Sequence, residues 1–259
     1  MSDWSVIITG ASRGLGRATA LALARLGATL ILNARSASEL TQLREEIVSA
    51  GGRAEILAAD ISQPDTAERL VAAAVLHFGG LDAVINNAGV LAPLARIEDS
   101  DPRLWRRNLI VNTWAPFALV RAALPHLRRA RHGRVINVSS GAAVRPTPGW
   151  SAYCASKAAL NMFTGVLAAE EPDLTAVALR PGVIDTSMQR ALREHGAGAM
   201  SPEQYQDFVQ RYRQGQLLPP ERPARVLAAL ALHAPHEWSG RFIRWDDPEV
   251  QELVAETFA

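Results

Sequence analysis

Short apolar runs alternate with longer amphipathic segments along most of the chain. Six runs rich in Val, Ile and Leu lie at positions 6–8, 29–32, 55–58, 83–85, 135–138 and 176–179. Helix-length segments separate them, at 14–26, 38–50, 65–78, 103–131 and 151–170. Strands that are apolar on both faces and alternate with helices form parallel sheets with right-handed crossovers. The pattern therefore predicts an α/β fold, a doubly wound parallel sheet of about seven strands with helices on both faces.

The alternation is interrupted once, between positions 185 and 220. Ser201, Pro202 and Gln204 form a strong helix start there, because serine caps, proline suits the first helical position and glutamine suits the third. Glycines and prolines bound this insertion, and a further helix is predicted at 223–233. No repeat or linker divides the rest. We expect a single domain over residues 1–259, with a mobile helical substrate lid at about 185–220.

Composition and charge restrict the kinds of partner. The 259 residues are 48% hydrophobic and 20% charged, and the net charge is +1, so the chain can bury a large core. The arginines form no basic stripe, which argues against nucleic acid, and no apolar run reaches the roughly 18 residues that cross a bilayer. The single cysteine excludes an internal disulfide. Without a leader-type segment, we expect a cytoplasmic protein that acts on a small molecule and has no membrane partner.

A glycine-rich turn follows the first predicted strand. Gly10, Gly14 and Gly16 have the spacing G-x-x-x-G-x-G, and an amphipathic helix begins at once. Glycines let the backbone approach a pyrophosphate, whose charge the N–H groups and dipole of the helix N-terminus receive. The spacing differs from G-x-G-x-x-G and from the phosphate loop that ends in Gly-Lys-Ser/Thr, so a turn without a ligand stays the alternative. We favour a Rossmann-type dinucleotide site.

The residues after the second predicted strand bear on the choice of cofactor. NAD sites place an acid on the ribose 2′-hydroxyl there, about 20 residues beyond the glycine loop. This chain has Arg35 and no acid before Glu39. Arg35 and Arg13 would suit a 2′-phosphate, because guanidinium forks match phosphate geometry. Arginine is frequent enough in the chain for either to occur there by chance, but the missing acid favours NADP(H).

Lys157 is the only lysine, since every other basic side chain among the 27 Lys and Arg residues is arginine. It follows Tyr153 by four residues, so the two side chains share one face of a predicted helix. A nearby ammonium favours the ionised form of a phenol and would lower the pKa of Tyr153 toward neutrality. The alternative is a lysine left on a solvated helix face by chance.

These motifs occur together in a known order. The residues are Thr9-Gly10-x-x-x-Gly14-x-Gly16, Asn86-Asn87-Ala88-Gly89, Asn112, Ser140, Tyr153-x-x-x-Lys157 and Pro181-Gly182. In order and spacing they resemble the short-chain dehydrogenase/reductase family over roughly residues 5–190. The segment 239–247 resembles the sepiapterin-reductase and benzil-reductase branch, over few residues.

The resemblance implies roles for four catalytic residues. Tyr153 would be the acid/base, and Lys157 would bind the nicotinamide ribose and lower the pKa of Tyr153. Ser140 would hydrogen-bond the substrate carbonyl, while Asn112 would hold a water that links Lys157 to solvent.

The resemblance also implies a binding surface for cofactor and substrate. Besides Tyr153 and Lys157, cofactor contacts are implied for Gly10, Ser12, Arg13, Gly14, Leu15, Gly16, Arg35, Asp60, Ile61, Asn87, Ala88, Gly89, Pro181, Gly182, Ile184 and Thr186. The substrate pocket would be bordered by Leu91, Val144, Trp150 and Met188.

The apolar and aromatic character of the pocket favours an aromatic or alicyclic ketone or diketone over a charged substrate. We expect NADPH-dependent reduction of such a carbonyl to an alcohol, by hydride transfer with Tyr153 as the proton donor and without a metal. Two alternatives are an NADP-dependent alcohol dehydrogenase that works in the oxidative direction and a non-catalytic NADP-sensing regulator. The intact set of Ser140, Tyr153 and Lys157 argues against the regulator.

The segment 158–169 contains no charged residue. A helix that is apolar all round must be covered on two sides. One side can pack on the sheet, and the other needs a partner, as the helix-pair dimers of the family would supply. Coverage by loops of the same chain is the alternative. We expect a homodimer, or a tetramer, with the dimer favoured.

Overall fold

The computed structural model describes residues 4–259, and its seven strands form one parallel sheet. The strand order is β3-β2-β1-β4-β5-β6-β7, and every neighbouring pair is parallel. The strands are β1 (Ser5–Thr9), β2 (Thr29–Ala34), β3 (Arg53–Ala58), β4 (Ala83–Asn86), β5 (Arg134–Val138), β6 (Thr175–Arg180) and β7 (Phe242–Arg244). The predicted doubly wound α/β fold is confirmed. The apolar runs do not mark β7, where only Ile243 is fully buried.

Helices cover both faces of the sheet. They are α1 (Gly14–Arg25), α2 (Ala37–Ser49), α3 (Thr66–Phe78), α4 (Pro102–Leu109), α5 (Ala115–Leu127), α6 (Ser151–Glu170), α7 (Ser187–His195), α8 (Pro202–Arg213), α9 (Glu221–His233) and α10 (Pro248–Thr257). No helix among the described residues is long and apolar enough to cross a membrane.

Successive residues of the central strands enter different cores. Ile8 of β1 packs in the layer formed with α1 and α9, whereas Ile7 packs in the layer formed with α3, α5 and α6. Both side chains are fully buried. Because side chains alternate across a strand, a strand between two helical layers must be apolar at every position, which is the pattern that the sequence shows.

The segment predicted at 103–131 is a helix over residues 102–127 that contains a π turn. α4 ends at Leu109, a π turn spans Ile110–Trp114, and α5 ends at Leu127. Single π turns inside helices often occur at functional sites. This one contains Asn112, which is fully buried.

The insertion predicted at 185–220 carries α7 and α8. α8 begins where the sequence predicts, with Pro202 as its first residue. The Ser201 hydroxyl caps it by accepting a hydrogen bond from the backbone N–H of Gln204 at 3.3 Å. Leu192 of α7 packs with Trp150 in a small apolar cluster. The insertion therefore lies against the start of α6.

Candidate active site

A large cavity opens at the carboxyl ends of the central strands. Its volume is about 1090 Å³, and its walls come mainly from the loops after β1 to β6 and from α7 and α8. From β1 the strands are added in one direction as far as β3, and from β4 onward they are added in the opposite direction. Ligands of open α/β sheets bind at this switch point. Every residue predicted for cofactor, catalysis or substrate lines the cavity except Asn112.

The glycine loop packs tightly against the segment after β4. A side-chain carbon at Gly16 would lie 2.2 Å from the carbonyl oxygen of Gly10, and one at Gly10 would lie 2.9 Å from Cα of Ala88. The Asn87 side-chain amide donates to the carbonyls of Thr9 and Gly10 at 2.9 and 3.1 Å. Glycine is required at both positions because any side chain would push these segments apart.

The backbone N–H groups at the start of α1 can bind an anion. Arg13 is the residue before the helix, and no side chain caps the first turn. Its N–H groups are therefore left for another acceptor, and Ser12, Gly14 and Leu15 line the cavity at this point. These features fit the pyrophosphate of a dinucleotide.

Two arginines line the far end of the cavity, beyond the end of β2. Arg13 and Arg35 are both exposed there. Glu39, in the first turn of α2, lines the same region. The side-chain amide of Asn33 already donates hydrogen bonds to the backbone carbonyls of Leu57 and Ala59.

Asp60 is held in place as a carboxylate. It accepts hydrogen bonds from the Ser62 amide at 3.0 Å, the Ser62 hydroxyl at 2.7 Å and the Arg107 guanidinium at 2.9 Å. Burial alone would raise its pKa, but these hydrogen bonds outweigh burial and lower the pKa of Asp60 to about 2. Arg107 was not predicted from the sequence, because its partner lies far away in the chain. Ile61, beside Asp60, also lines the cavity.

Tyr153 and Lys157 are buried together on the first turns of α6. Tyr153 is 8% exposed and Lys157 4% exposed. The Lys157 ammonium lies 5.8 Å from the centre of the Tyr153 ring and donates to the Val138 carbonyl at 2.7 Å. The i, i+4 spacing thus brings the two side chains together as predicted.

The expected lowering of the tyrosine pKa is wrong for this structure. Burial raises the pKa of Tyr153 to about 12, and the nearby Ser140 hydroxyl opposes this only in part. Burial also lowers the pKa of Lys157 to about 8. The sequence could not show that both groups are withdrawn from water, where the cost of desolvating an ionised phenol exceeds the effect of the Ser140 hydrogen bond.

Two serines follow β5, and they have different partners. The Ser139 hydroxyl donates a hydrogen bond to the side-chain oxygen of Asn161 in α6 at 2.5 Å. The Ser140 hydroxyl accepts from the Ala142 amide at 3.2 Å and lies close to Tyr153. Ser140 is thus the serine placed beside the tyrosine.

Asn112 belongs to a buried network behind Lys157. Its Oδ1 accepts from the Val90 amide at 2.8 Å, and its amide donates to the Asn108 side chain at 2.8 Å and to the Ser156 hydroxyl at 3.1 Å. Asn108 also donates to the carbonyls of residues 90, 91 and 92. Asn108 and Ser156 were not predicted from the sequence, although two asparagines four residues apart on a helix were a usable signal for Asn108. The role of Asn112 in holding a water stays a prediction.

Aromatic side chains form the wall beside Tyr153. Trp150 meets Tyr153 edge to face at 5.8 Å and stacks with Phe208 of α8 at 5.7 Å. Leu91 and Met188 line the same end, and Val144 is 66% exposed at the rim. Phe208 was not predicted from the sequence, because nothing in the residue pattern shows which face of α8 meets Trp150.

The segment after β6 closes the cavity between its two ends. Pro181, Gly182, Ile184 and Thr186 line the wall. Ile184 pairs with Leu218 in an isolated parallel bridge. Thr186 directly precedes α7, which links this wall to the insertion.

An uncapped helix start at the switch point of a parallel sheet, with Ser140, Tyr153 and Lys157 in the same cavity, defines a dinucleotide-dependent oxidoreductase. The model of the short chain dehydrogenase family matches residues 5–197. The chain belongs to the short-chain dehydrogenase/reductase family, in its benzil-reductase-like branch. It is an oxidoreductase of the type that acts on CH–OH and C=O groups, and NAD(P)(H) is the cofactor of the family.

Two named relatives and a solved structure are similar to this protein over nearly its whole length. A benzil reductase ((S)-benzoin forming) of Saccharomyces cerevisiae is 38% identical, covering 93% of this chain and 95% of that protein. A benzil reductase ((S)-benzoin forming) of Bacillus cereus is 34% identical, covering 93% and 99%. The crystal structure of a short chain dehydrogenase/reductase from Saccharomyces cerevisiae is 36% identical, with a TM-score of 0.92 over 96% and 99% of the two chains.

Replacing Lys157 with methionine tests its lowered pKa. Native Lys157 loses its proton near pH 8 and an unfolded lysine near 10.5, so between these values the unfolded chain binds more protons and stability rises with pH. Tyr153 does not oppose this gain, because its pKa is raised from 10.0. Deprotonation of the unfolded tyrosine therefore lowers the stability of the folded state only above about pH 10. From pH 8 to 10, the free energy of unfolding of the unmodified protein should gain roughly 1–3 kcal/mol relative to Lys157→Met in urea titrations. A difference independent of pH would contradict the lowered pKa.

Proposed function

We propose that the protein is an NADPH-dependent carbonyl reductase that converts apolar or aromatic ketones and diketones to alcohols. The observation that carries this proposal is the buried pair Tyr153 and Lys157 beside Ser140, in a cavity with an aromatic wall at that end. The names of two relatives, both benzil reductases, support it. Benzil is an aromatic diketone of the kind that such a wall would accept.

Tyr153 would act as the proton donor. With a pKa of about 12 the phenol is protonated at neutral pH, so it can donate to the alkoxide that forms as a carbonyl is reduced. The Ser140 hydroxyl would hydrogen-bond the same oxygen and stabilise its developing charge. Lys157 would bind the nicotinamide ribose, and Asn112 would support it from behind. A bound NADPH supplies the hydride.

The rest of the cavity would hold the cofactor in segments. Gly10, Ser12, Gly14, Leu15 and Gly16 would receive the pyrophosphate at the start of α1. The adenine would lie at Asp60 and Ile61, and Asn87, Ala88 and Gly89 would border the ribose. The segment from Pro181 to Thr186 would hold the carboxamide, while Arg13 and Arg35 would bind the 2′-phosphate.

The substrate would occupy the end of the cavity formed by Leu91, Val144, Trp150 and Met188, with Phe208 as an additional contact. Phe208 stacks on Trp150 from the insertion. In our proposal residues 185–220 are a lid within a single domain, and its opening exchanges substrate and product.

Tyr153→Phe tests the proton donor. It should lower kcat for NADPH oxidation with benzil by about 10²–10⁴, the usual contribution of general acid catalysis, while NADPH binding is retained. Lys157→Arg should be severely impaired despite its charge, because a guanidinium fork cannot replace a compact ammonium in a buried site. Tyr212→Phe, at a phenol that is 50% exposed, is the matched control. Near-normal turnover in either active-site variant would remove that residue's assigned role.

Cofactor preference tests Arg13 and Arg35. Each charged hydrogen bond to the 2′-phosphate contributes about 1.5–3 kcal/mol, so the pair would favour NADPH over NADH by roughly two to four decades at most. Both side chains are exposed, so this preference should weaken as ionic strength rises.

Variants sharpen this test. Arg35→Ala should remove much of the preference, and Ala34→Asp combined with Arg35→Ala should turn the enzyme toward NADH, because the acid repels phosphate and accepts from ribose. Arg25→Ala, at the exposed end of α1, should leave the ratio unchanged. Equal kcat/KM for both cofactors in the unmodified protein would refute the choice of NADPH.

In our proposal the protein assembles as a homodimer through α5 and α6. Trp114 and Phe117 are 40% and 43% exposed, and Met162 and Val166 are 70% and 45% exposed. Phe117 meets Phe163 edge to face at 6.0 Å, which brings the exposed sides of the two helices together. Contiguous apolar surface of this kind marks interfaces in soluble proteins.

Val166→Glu tests the interface. A charge placed there would be desolvated on association, so sedimentation should show a dimer for the unmodified protein and a monomer, or unfolded protein, for the variant. Val48→Glu is the matched control, because Val48 on α2 has nearly the same exposure, 48% against 45%, and should leave assembly intact. A stable monomer at micromolar concentration in the unmodified protein would refute the interface.

A further inference from the structure

A guanidinium lies beside the catalytic serine without a role in the proposal above. Arg180 is the last residue of β6, and its side chain is exposed. A side-chain carbon at Gly141 would lie 3.0 Å from the guanidinium carbon of Arg180, so the guanidinium is packed on the backbone of the residue that follows Ser140. Arg180 also lines the main cavity.

Two other cations of the cavity wall already pair with carboxylates. Arg107 pairs with Asp60, and Arg211 pairs with Asp207, both at 2.9 Å. No ion pair within residues 4–259 includes Arg180 or Arg145. Three acidic residues of the described chain line the cavity. Asp60 and Asp207 are already paired with these arginines, and the third is Glu39.

Glu39 lies in the first turn of α2, after β2, whereas Arg180 ends β6. Three strands of the sheet separate β2 from β6. The guanidinium is therefore free to donate to a ligand, and five donors on a rigid plane suit an oxygen acceptor.

We propose that Arg180 determines specificity for 1,2-diketones by donating a hydrogen bond to the second carbonyl oxygen while Ser140 and Tyr153 bind the first. This assignment rests on the proposed carbonyl reduction. The two oxygens of a 1,2-diketone sit on adjacent carbons, which matches a guanidinium packed one residue from Ser140. The aromatic wall of Trp150 and Phe208 favours neutral aromatic substituents over a carboxylate.

The reaction balances with the second carbonyl unchanged. Hydride from a bound NADPH would add to the first carbonyl carbon as the C=O π electrons move to oxygen. Tyr153 would supply the proton to that oxygen, and solvent would then reprotonate Tyr153. The products are NADP⁺ and a 2-hydroxyketone. Arg180 withdraws electron density from the second carbonyl, which makes the adjacent carbon a better hydride acceptor.

A matched pair of ketones tests this role. Benzil carries two adjacent carbonyls, and deoxybenzoin has a methylene in place of one of them. Arg180→Gln should lower kcat/KM for benzil about 10- to 100-fold, the factor of a charged hydrogen bond, and change kcat/KM for deoxybenzoin by less than about twofold. Arg180→Lys should restore part of the loss. Arg190→Gln, which removes an exposed charge from α7 outside the cavity wall, should leave both substrates unaffected.

Each contrary result has a distinct meaning. Equal losses with both ketones would overturn the assignment and make Arg180 a support for the Ser140 loop, and so would no loss with either. A loss of diketone preference in Arg145→Gln but not Arg180→Gln would move the contact to Arg145. Preference for benzoylformate over benzil, abolished in Arg180→Gln, would replace diketones with keto acids. An unmodified enzyme that reduces none of these would overturn the proposed function itself. Melting temperature and NADPH fluorescence on binding show that each variant is folded.

Discussion

The buried ammonium of Lys157 requires that α6 and β5 keep fixed relative positions. Burial opposes its charge, and the acceptor that it reaches is the Val138 carbonyl at the end of β5. This bond holds α6 against β5 at the point where Ser140 follows. A shift of the helix along the strand would leave the charge without its acceptor, which costs far more than the loss of a surface ion pair. The relative positions of Tyr153 and Ser140 depend on this interaction.

The buried amide network extends the same constraint to the loop after β4. Asn108 binds three consecutive carbonyls in that loop, and Ser156 joins Asn108 to α6. Loop, π turn and helix can therefore move only together, because separating them would leave several buried polar groups unpaired. Since Asn87 ties the start of that loop to Thr9 and Gly10, the glycine loop and the catalytic pair belong to one connected structure.

Most of the sheet could be predicted, because strands between two helical layers are apolar at every position. β7 could not, since a three-residue strand with a single fully buried side chain leaves no pattern. The pairing of Tyr153 with Lys157 followed from local helix geometry. The sign of the tyrosine pKa shift did not, because it depends on burial by segments distant in the chain. The buried amide network escaped prediction for the same reason, since Asn108 finds its acceptors in a loop 16 to 18 residues earlier.

The chemistry and the substrate wall come from different parts of the chain. Tyr153 and Lys157 belong to α6 and Ser140 follows β5, and the sheet and the buried network determine the positions of both elements. Phe208 comes from α8, which has no fully buried residue. Its stack on Trp150 is a local contact, and few other buried contacts oppose a change in the position of α8. Substitutions in α8 can therefore alter the shape of the substrate pocket at little cost to the proton donor, because Trp150 lies between the two and is itself held by the start of α6.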